Sequence, residues 1–266
     1  MRGEERMADK DFIKQRVQGQ FGKNAEKYVL SEGHAHGEDL ALAVKWLQPT
    51  LENVVLDIAT GGGHVAKTLA PLVKNVTATD LTERMLETTR IHLTENKVQN
   101  VTYVLADAEE LPFLKNSFDI VTCRIAPHHF PNPDLFIQEV SRVLRPNGRF
   151  LLIDNIVPNE KPMSDFINLA ESIRDPSHVK CLTKDQWRSL FEEQGLKVEQ
   201  DIIRKKKHPF NSWLDRMAPT DAHKLAVTSM LLLAPENIKS YFNILIKDET
   251  IISFDTDQWI ALAIKE

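Results

Sequence analysis

Three consecutive glycines, Gly61 to Gly63, follow a short apolar run and precede residues with helical spacing. Glycine is costly in backbone entropy, so its use here favours a turn whose shape or close approach excludes a side chain. Asp57 opens the turn in the order Asp-x-Ala-x-Gly-x-Gly. Backbone N–H groups and a helix N-terminus at such a turn attract the negative groups of a ligand. The stretch therefore predicts either a tight turn or a ligand resting against bare backbone.

Two further carboxylates stand at the ends of predicted strands. Asp80 closes the stretch NVTATD, and Asp107 closes VTYVLAD. Each is followed three residues later by a glutamate, which is the spacing of a helix N-cap with its capping partner, so either pair alone is explained as a helix start. Taken together at successive strand ends beside the glycine turn, the two pairs favour a bound cofactor.

The elements that must position these residues alternate along the chain. Buried strands are predicted at 53–58, 75–80, 101–107, 117–124 and 149–157, with helices at 64–73, 82–96 and 132–148 between them and another at 37–49 before them. Strands that alternate with helices of this length indicate parallel βαβ units and a doubly wound sheet. A helix at 183–195, a strand at 196–208, a mostly helical stretch at 209–246 and a strand at 248–265 complete the pattern.

Two of the predicted helices carry clear end signals. Asn132 precedes a proline and is expected to cap the helix that Pro146 and Gly148 stop. Thr183 and Gln186 have the spacing of a capping box. No internal repeat or linker divides the chain, so one domain with helical additions is expected.

Composition narrows the class of protein. The 266 residues carry a net charge of −5, which gives no global positive field for nucleic acid. Two cysteines are too few for a disulfide framework and fit a reducing compartment. The charged N-terminus has no apolar signal region, and the apolar stretches are too short to span a bilayer. A cytoplasmic protein with no membrane span is expected.

Two cofactor classes use a glycine turn at this place. Gly61, Gly63 and Ala66 formally match the dinucleotide fingerprint, and Asp80 follows at about the expected interval. The alternative is S-adenosylmethionine (SAM), which the acidic residues at three strand ends favour. The motifs VVLDIATGGG, TATDLTERML, ADAEELPFLKNSFDIVTCRIAPHHF and SRVLRPNGRFLLID occur in order between residues 53 and 154. In these motifs the chain resembles the class I SAM-dependent methyltransferases, above all the branch that includes the ubiquinone/menaquinone C-methyltransferases.

This resemblance implies a Rossmann-like, doubly wound α/β fold. Its seven-stranded sheet is expected to be mostly parallel, with an antiparallel last strand and with helical cap elements. Within one methyltransferase domain of residues 1–266, residues 1–50 would form N-terminal cap helices and residues 51–155 the SAM-binding core. Residues 156–266 would form the C-terminal half of the sheet, with helical insertions that cover the substrate.

The resemblance also implies a role for each position around the glycine turn, which Asp57 opens. The backbone of Ala59, Gly61 and Gly63 is expected to line the methionine part of SAM, although glycine is commoner than alanine at position 59. Asp80 is expected to accept hydrogen bonds from the two ribose hydroxyls.

At the neighbouring strand ends, the same resemblance places the adenine. Asp107 is expected to accept from the adenine amino group, and the Ala108 N–H to donate to the ring, while Leu81 lies against it. The backbone of Arg124 is expected near the methionine amino group. Tyr28 belongs to an N-terminal segment that would fold over the cofactor near its sulfonium.

Histidines supply the candidate chemistry. His128 and His129 follow the fourth strand, where the family places the methyl group, and an imidazole pKa near 6.5 suits a general base. Residues of this kind are also often simple pocket or loop residues. No Cys or carboxylate spacing accompanies these two histidines or His34 and His36, so no metal site is expected.

The expected function is transfer of a methyl group from SAM to a small-molecule acceptor by in-line displacement. His34, Arg174 and His178 are candidate substrate-pocket residues. The first rival function is a methyltransferase of RNA or protein, although members that methylate such nitrogens usually carry Asn/Asp-Pro-Pro-Tyr/Phe where this chain has RIAPHHF. The second is a non-catalytic SAM-binding regulator, and the third is a nicotinamide dehydrogenase.

Overall fold

A computed structural model describes residues 2–29 and 37–266, with side chains described from residue 11 onward except at residues 24 and 27–36. Among the described residues, eight strands form one sheet in the order β3-β2-β1-β4-β5-β8-β6, with β7 paired to β8. The strands are β1 Val54–Ile58, β2 Asn75–Asp80, β3 Val101–Leu105, β4 Phe118–Arg124, β5 Leu144–Ile156, β6 Leu196–Pro209, β7 Leu245–Lys247 and β8 Thr250–Lys265.

The pairing confirms the expected fold. Strands β1 to β5 are parallel, and β8 runs antiparallel to both β5 and β6. The short strand β7 is one more than expected, because it forms a hairpin with β8 through a tight turn at the end of the helical stretch. Asp248 and Glu249 in that turn both have positive φ, 47° and 58°, as a two-residue hairpin turn requires.

The helices surround the sheet, and one of them, Lys161–Arg174, was not individually predicted from the sequence. They are α1 Arg2–Val29, α2 Glu38–Leu47, α3 His64–Leu69, α4 Glu83–Glu95, α5 Pro133–Val143, α6 Lys161–Arg174, α7 Lys184–Glu193, α8 Phe210–Met217, α9 Asp221–Leu232 and α10 Glu236–Tyr241. The capping box of α7 is present in both directions. No helix in the described part of the chain has the length and apolar character that a bilayer crossing needs.

The expected ends of α5 are wrong. The helix ends at Val143, before Pro146 and Gly148, because Leu144 pairs with Phe118 of β4 and begins β5. At the other end, the Asn132 side chain makes no capping bond to the helix. Its amide donates instead to Glu109 Oε2 at 2.9 Å, so it ties the helix to the loop after β3.

Two apolar clusters cover the two faces of the sheet. One contains Leu56, Phe136 and Trp259, and the other contains Val55 and Ile260, as expected where neighbouring strand residues point to opposite faces. Both faces are buried, which is why β1 and β4 read as continuous apolar runs. The sheet therefore forms a fixed platform whose carboxyl edge carries the loops.

A third cluster lies beyond that edge. Strands β6 and β8 remain paired as far as Pro209 and Ser253, past the last β5 pair at Ile156 and Asp257. The helices α6, α8, α9 and α10 pack on this extension through a shared apolar core that includes Phe254. These four helices, which we call the cap, are therefore built on the sheet itself.

Candidate active site

The glycine turn between β1 and α3 is braced by a buried carboxylate. Asp57 accepts from the Thr60 hydroxyl at 2.6 Å and from the Thr122 hydroxyl of β4 at 2.8 Å. Burial raises the pKa of Asp57 to about 6, although both hydroxyls favour its ionised form. Asp57 therefore joins the turn to the neighbouring strand.

The glycines of this turn have different roles. Gly61 has a φ of +52°, lines the cleft at the sheet edge, and has no neighbouring atom closer than 4.0 Å to the place of a Cβ. Gly63 has a φ of +74° and does not line that cleft; a Cβ there would lie 2.5 Å from Thr89 Cγ2 of α4. Thr89 also donates a short hydrogen bond to the Gly61 carbonyl. Gly63 thus allows α4 to pack closely on the turn. The sequence predicted a contact of Gly63 with SAM and did not predict this packing role.

Two residues other than glycine also have a positive φ at the cleft. Ala59, after β1, has a φ of 52°, and Ile125, after β4, has a φ of 54°. Positive φ is uncommon outside glycine and is an outlier for a β-branched residue. The Ile125 N–H donates to the Ile153 carbonyl at 2.7 Å, which holds this conformation. Strained backbone of this kind clusters at ligand sites, and nothing in the residue type predicts it at Ile125.

The carboxylate at the end of β2 is held by backbone donors. Asp80 accepts from the Gly61 N–H at 3.1 Å and from the Thr82 N–H at 2.9 Å. Burial raises the pKa of Asp80 to about 6. Helix α4 begins at Glu83 with Thr82 at its N-cap, so Asp80 is not the cap of that helix. The Thr82 hydroxyl is buried beside Asp80.

The carboxylate after β3 meets the N-terminal helix. Asp107 accepts from the Glu109 N–H at 2.9 Å, and no helix starts there. Lys14 of α1 reaches it with Nζ 2.5 Å from Asp107 Oδ2 and 2.8 Å from a Glu109 carboxylate oxygen. The sequence offered no sign that Lys14 lies here, because the contact spans more than ninety residues of chain.

These groups line one cleft at the carboxyl edge of the sheet. It encloses about 1020 Å³, its open mouth included, near the upper end of the range of about 300–1,000 Å³ typical of ligand sites. Val17 and Phe21 of α1 line it from above, together with Lys14. The expected cofactor positions that line it are Asp57, Ala59, Gly61, Asp80, Leu81, Asp107, Ala108 and Arg124. The side chain of Tyr28 and all of His34 lie outside the described residues.

The lining fits SAM in its chemistry. Asp80 and Asp107 present carboxylate oxygens at the cleft, and an ionised carboxylate has about four acceptor sites, which suits donors such as ribose hydroxyls and an adenine amino group. Positive φ at Ala59 and Ile125 and the missing Cβ of Gly61 bring backbone close to the cleft. The turn also leads into the N-terminus of α3, which favours negative groups.

Beside the cleft, three histidines form a buried cluster. The ring centroids of His128 and His129 are 4.3 Å apart, and His178 lies 5.6 Å from the first and 6.4 Å from the second. His129 lines the cleft, whereas His128 and His178 do not. Phe21 of α1 meets His129 edge to face at 4.9 Å. The structure thus brings together three of the histidines that the sequence singled out.

His128 is paired with a carboxylate. Its Nδ1 lies 2.7 Å from Asp154 Oδ1, and its backbone N–H donates to Asp154 Oδ2 at 3.1 Å. Burial lowers the pKa of His128, but the charge and hydrogen bond of Asp154 more than offset this, so the net shift is upward. His128 is therefore the most basic member of the cluster.

The other two imidazoles are held neutral. His129 Nδ1 lies 2.9 Å from the Ser177 carbonyl, so Nδ1 carries the proton and Nε2 is left as an acceptor. Burial and the neighbouring His128 lower the pKa of His129 to about 4. Burial and both other histidines also lower the pKa of His178, whose Nε2 donates to Asn168 Oδ1 at 3.1 Å.

Arg174 completes the surroundings of the cluster. It is buried, and it ion-pairs with Glu171 at 2.9 Å while its guanidinium lies 4.5 Å from the Trp213 ring. Among the described residues, no group of three or more His, Cys, Asp or Glu is arranged to hold a metal ion.

Known proteins are similar to this chain in sequence and in fold. A family model described as "Methyltransferase domain" matches residues 56–152. The uncharacterized methyltransferase YcgJ of Bacillus subtilis is 38% identical over 213 residues, which cover 79% of this chain and 83% of that protein. The ubiquinone/menaquinone biosynthesis C-methyltransferase UbiE of Blochmanniella pennsylvanica is 32% identical over 162 residues, 57% of this chain and 62% of that protein.

A solved structure agrees with these relatives. The crystal structure of a candidate methyltransferase from Bacillus halodurans superposes with a TM-score of 0.84 at 40% identity, covering 86% of this chain and 99% of that one. Similarity of this extent, over most of both chains, shows common membership rather than a shared fold alone. This chain belongs to the class I SAM-dependent methyltransferases.

Proposed function

We propose that this methyltransferase transfers the methyl group of SAM to a small-molecule acceptor that binds beside His128 and His129. The observation that carries the proposal is the cover of the cleft. Lys14, Val17 and Phe21 of α1 line the cleft opposite the sheet, and Phe21 contacts His129. A cleft enclosed in this way suits a small acceptor better than an RNA or a protein segment, and the net charge of −5 gives no attraction to RNA.

The lining of the cleft supports the cofactor roles that the family resemblance implies. Asp80 would accept from the ribose hydroxyls, and the backbone at Ala59 and Gly61 would hold the methionine part. Asp107 would accept from the adenine amino group while it shares its other contacts with Lys14. When bound, SAM supplies a methyl group on a sulfonium, and the protein orients the acceptor and excludes water.

Where the acceptor loses a proton, we assign its uptake to Nε2 of His128, whose imidazolium form Asp154 stabilises, and the positioning of the acceptor to His129. Asp154 orients His128 so that Nδ1 donates to the carboxylate and Nε2 keeps a lone pair, as in other His–Asp pairs. His129, which is neutral and lines the cleft, would accept a hydrogen bond from the acceptor through Nε2. His178 and Arg174 would support this arrangement from behind.

The activity can be tested without knowledge of the acceptor. Incubation of the protein with a metabolite extract and methyl-labelled SAM should transfer label to one small molecule, detected by mass spectrometry. S-adenosylhomocysteine (SAH) should bind in calorimetry, and NAD should not. Micromolar binding of NAD without any heat from SAM would refute the assignment. Binding of SAM without turnover of any extract would favour the non-catalytic regulator.

The histidines can be tested separately. Changing both His128 and His129 to Ala should leave SAH affinity near the wild-type value and lower kcat by about 10²–10⁴ if a base is lost. His223→Ala is a matched control, because His223 is a half-buried histidine of α9 that does not line the cleft. Full activity in the double variant would remove both histidines from the mechanism.

A further inference from the structure

Cations collect on one face of β6, close to the cleft. Since strand residues alternate between the two faces, Arg204 and Lys206 share a face, opposite Gln258 and Thr256 of β8. The Arg204 guanidinium donates to the Gln258 side chain at 3.0 Å. This part of β6 leads directly into α8 and the cap.

Arg124 of β4 joins these cations through a shared carboxylate. Asp39 of α2 is 2% exposed; one oxygen lies 2.6 Å from Arg124 Nε and the other 3.5 Å from Arg204. Burial raises the pKa of Asp39, but the two arginines more than offset it, so the net shift is downward. Glu38 also approaches Arg204, at 3.9 Å, but its side chain is almost fully exposed and such pairs contribute little.

Lys206 is the cation of this group that has no ion-pair partner among the described residues. Its half-buried side chain makes no hydrogen bond or ion pair with any residue that the structure describes. Burial and the charges of Arg124, Arg216 and Arg204 lower its pKa to about 8, against a smaller opposing effect of Asp39. A shielded ammonium beside like charges is unfavourable in the free protein, and an anion placed among these groups would relieve it.

An amide beside these cations also lacks a partner. Asn155 of β5 pairs with Gln258 of β8, and its side chain lies on the face of the sheet that carries Arg124 and Arg204. Its Oδ1 is buried without a hydrogen bond from the described residues. Since the two ends of an amide are assigned from their surroundings, this side chain is able to present either its donors or its acceptor to a ligand.

We propose that Arg124, Arg204, Lys206 and Asn155 form an oxyanion site that binds a carboxylate or phosphate group of the methyl acceptor. The inference rests on the proposed function, because it is Arg124, a residue of the cofactor cleft, that connects this site to the reaction. The acceptor is favoured over SAM itself as the source of the anion, because Arg204 and Lys206 do not line the cleft and lie where the cap begins. The acceptor class is then an acidic small molecule.

The test uses sulfate as a probe, because its charge stays constant from pH 7 to pH 9.5. Lysine side-chain signals of the full chain, labelled at Cε, are followed by NMR during sulfate titration with and without saturating SAH. The Lys206 signal should shift saturably in both states. Lys206→Met should weaken sulfate binding about tenfold or more, and Lys206→Arg should restore most of it. Lys207→Met is the matched control, since Lys207 is exposed on the opposite face of β6, and it should change the affinity less than twofold.

Each outcome decides. Unchanged sulfate affinity in Lys206→Met would overturn the site. Competition between SAH and sulfate, or an equal loss of SAH affinity in Lys206→Met, would assign the site to the carboxylate of the cofactor and overturn the acceptor proposal. Failure of SAH to bind the wild-type chain would refute the proposed function instead, while sulfate titration of the free protein would still judge the cations.

A pH series covers the case in which Lys206→Met does not fold. With a pKa lowered to about 8, Lys206 loses its charge between pH 7 and pH 9.5. The charged groups that face it are Asp39 of α2, Arg124 of β4, Arg204 of β6 and Arg216 of α8, and arginine side chains in proteins do not lose their proton. Sulfate affinity of the wild-type protein should fall across this range, and a constant affinity would overturn the role of Lys206.

Discussion

Replacing Gly63 by alanine should destabilise the protein through two separable costs. The φ of +74° places an L-residue in the left-handed region, which costs about 1–2 kcal/mol. The new Cβ would also lie 2.5 Å from Thr89 Cγ2, and overpacking of this kind costs about 1–3 kcal/mol. Leu93 is no obstacle, because its nearest atom lies at 3.4 Å. The free energy of unfolding should therefore fall by about 2–5 kcal/mol, measured by urea denaturation.

Gly61→Ala is the matched comparison. Its φ is also positive, at +52°, but a Cβ there meets nothing closer than 4.0 Å, so only the conformational cost of about 1–2 kcal/mol remains. Gly61 lines the cleft and Gly63 does not. The two variants should therefore rank oppositely, with the greater loss of stability in Gly63→Ala and the greater loss of SAH affinity in Gly61→Ala.

Thr89→Ser isolates the steric cost. Serine removes Cγ2 but keeps the hydroxyl that donates to the Gly61 carbonyl. In the Gly63→Ala background it should recover about 1 kcal/mol or more relative to its effect in the wild type, as a double-mutant cycle measures. A cycle without coupling would refute the contact, and a loss of SAH affinity in Gly63→Ala equal to that in Gly61→Ala would restore Gly63 to the cofactor site.

The remaining predictions concern charged groups. Asp80→Asn should weaken SAH binding about tenfold or more in calorimetry, because a charged acceptor is lost, whereas the exposed Asp165→Asn should not. Because burial raises the pKa of Asp80 to about 6, wild-type SAH affinity should also weaken as the pH falls below 6, and a flat profile would contradict this. Lys14→Met should speed hydrogen exchange in α1, and 0.5 M salt should do the same in the wild type but not in the variant; unchanged exchange would show that other contacts hold the helix. Asp154→Asn should lower kcat for the acceptor found by mass spectrometry and move the rise of activity to lower pH, because the carboxylate holds the pKa of His128 up; an unshifted profile would exclude this pairing from the reaction.

Much of the sheet could be predicted because parallel strands that are buried on both faces have continuous apolar sequences between turn signals. The carboxylates Asp80 and Asp107 could be located for a related reason, since the carboxyl ends of neighbouring parallel strands meet at one edge. The end of α5 could not, because pairing of Leu144 with β4 outweighed the local signal of the following proline.

The site was harder to predict wherever it depends on distant contacts. Lys14 is one of many lysines in the sequence, and its ion pairs exist only because α1 crosses the cleft. The role of Gly63 depends on Thr89 of α4, which local glycine patterns do not reveal. The positive φ of Ile125 runs against its residue type, so only the surrounding fold determines it.

The extension of β6 and β8 past β5 supports the cap in a different way from that in which α1 is held over the cleft. The cap stands on a continuous two-stranded ribbon that extends to Pro209 and Ser253. Helix α1 is held by its packing against α4 and by side-chain contacts, among them the Lys14 ion pairs and the Gln20 amide that donates to the Met217 carbonyl at 3.1 Å. The side-chain contacts of α1 can break one at a time, whereas the cap can be displaced only if hydrogen bonds of the sheet break. We therefore expect the entry and exit of ligands at the cleft to depend on movement of α1, which lines the cleft, rather than on movement of the cap.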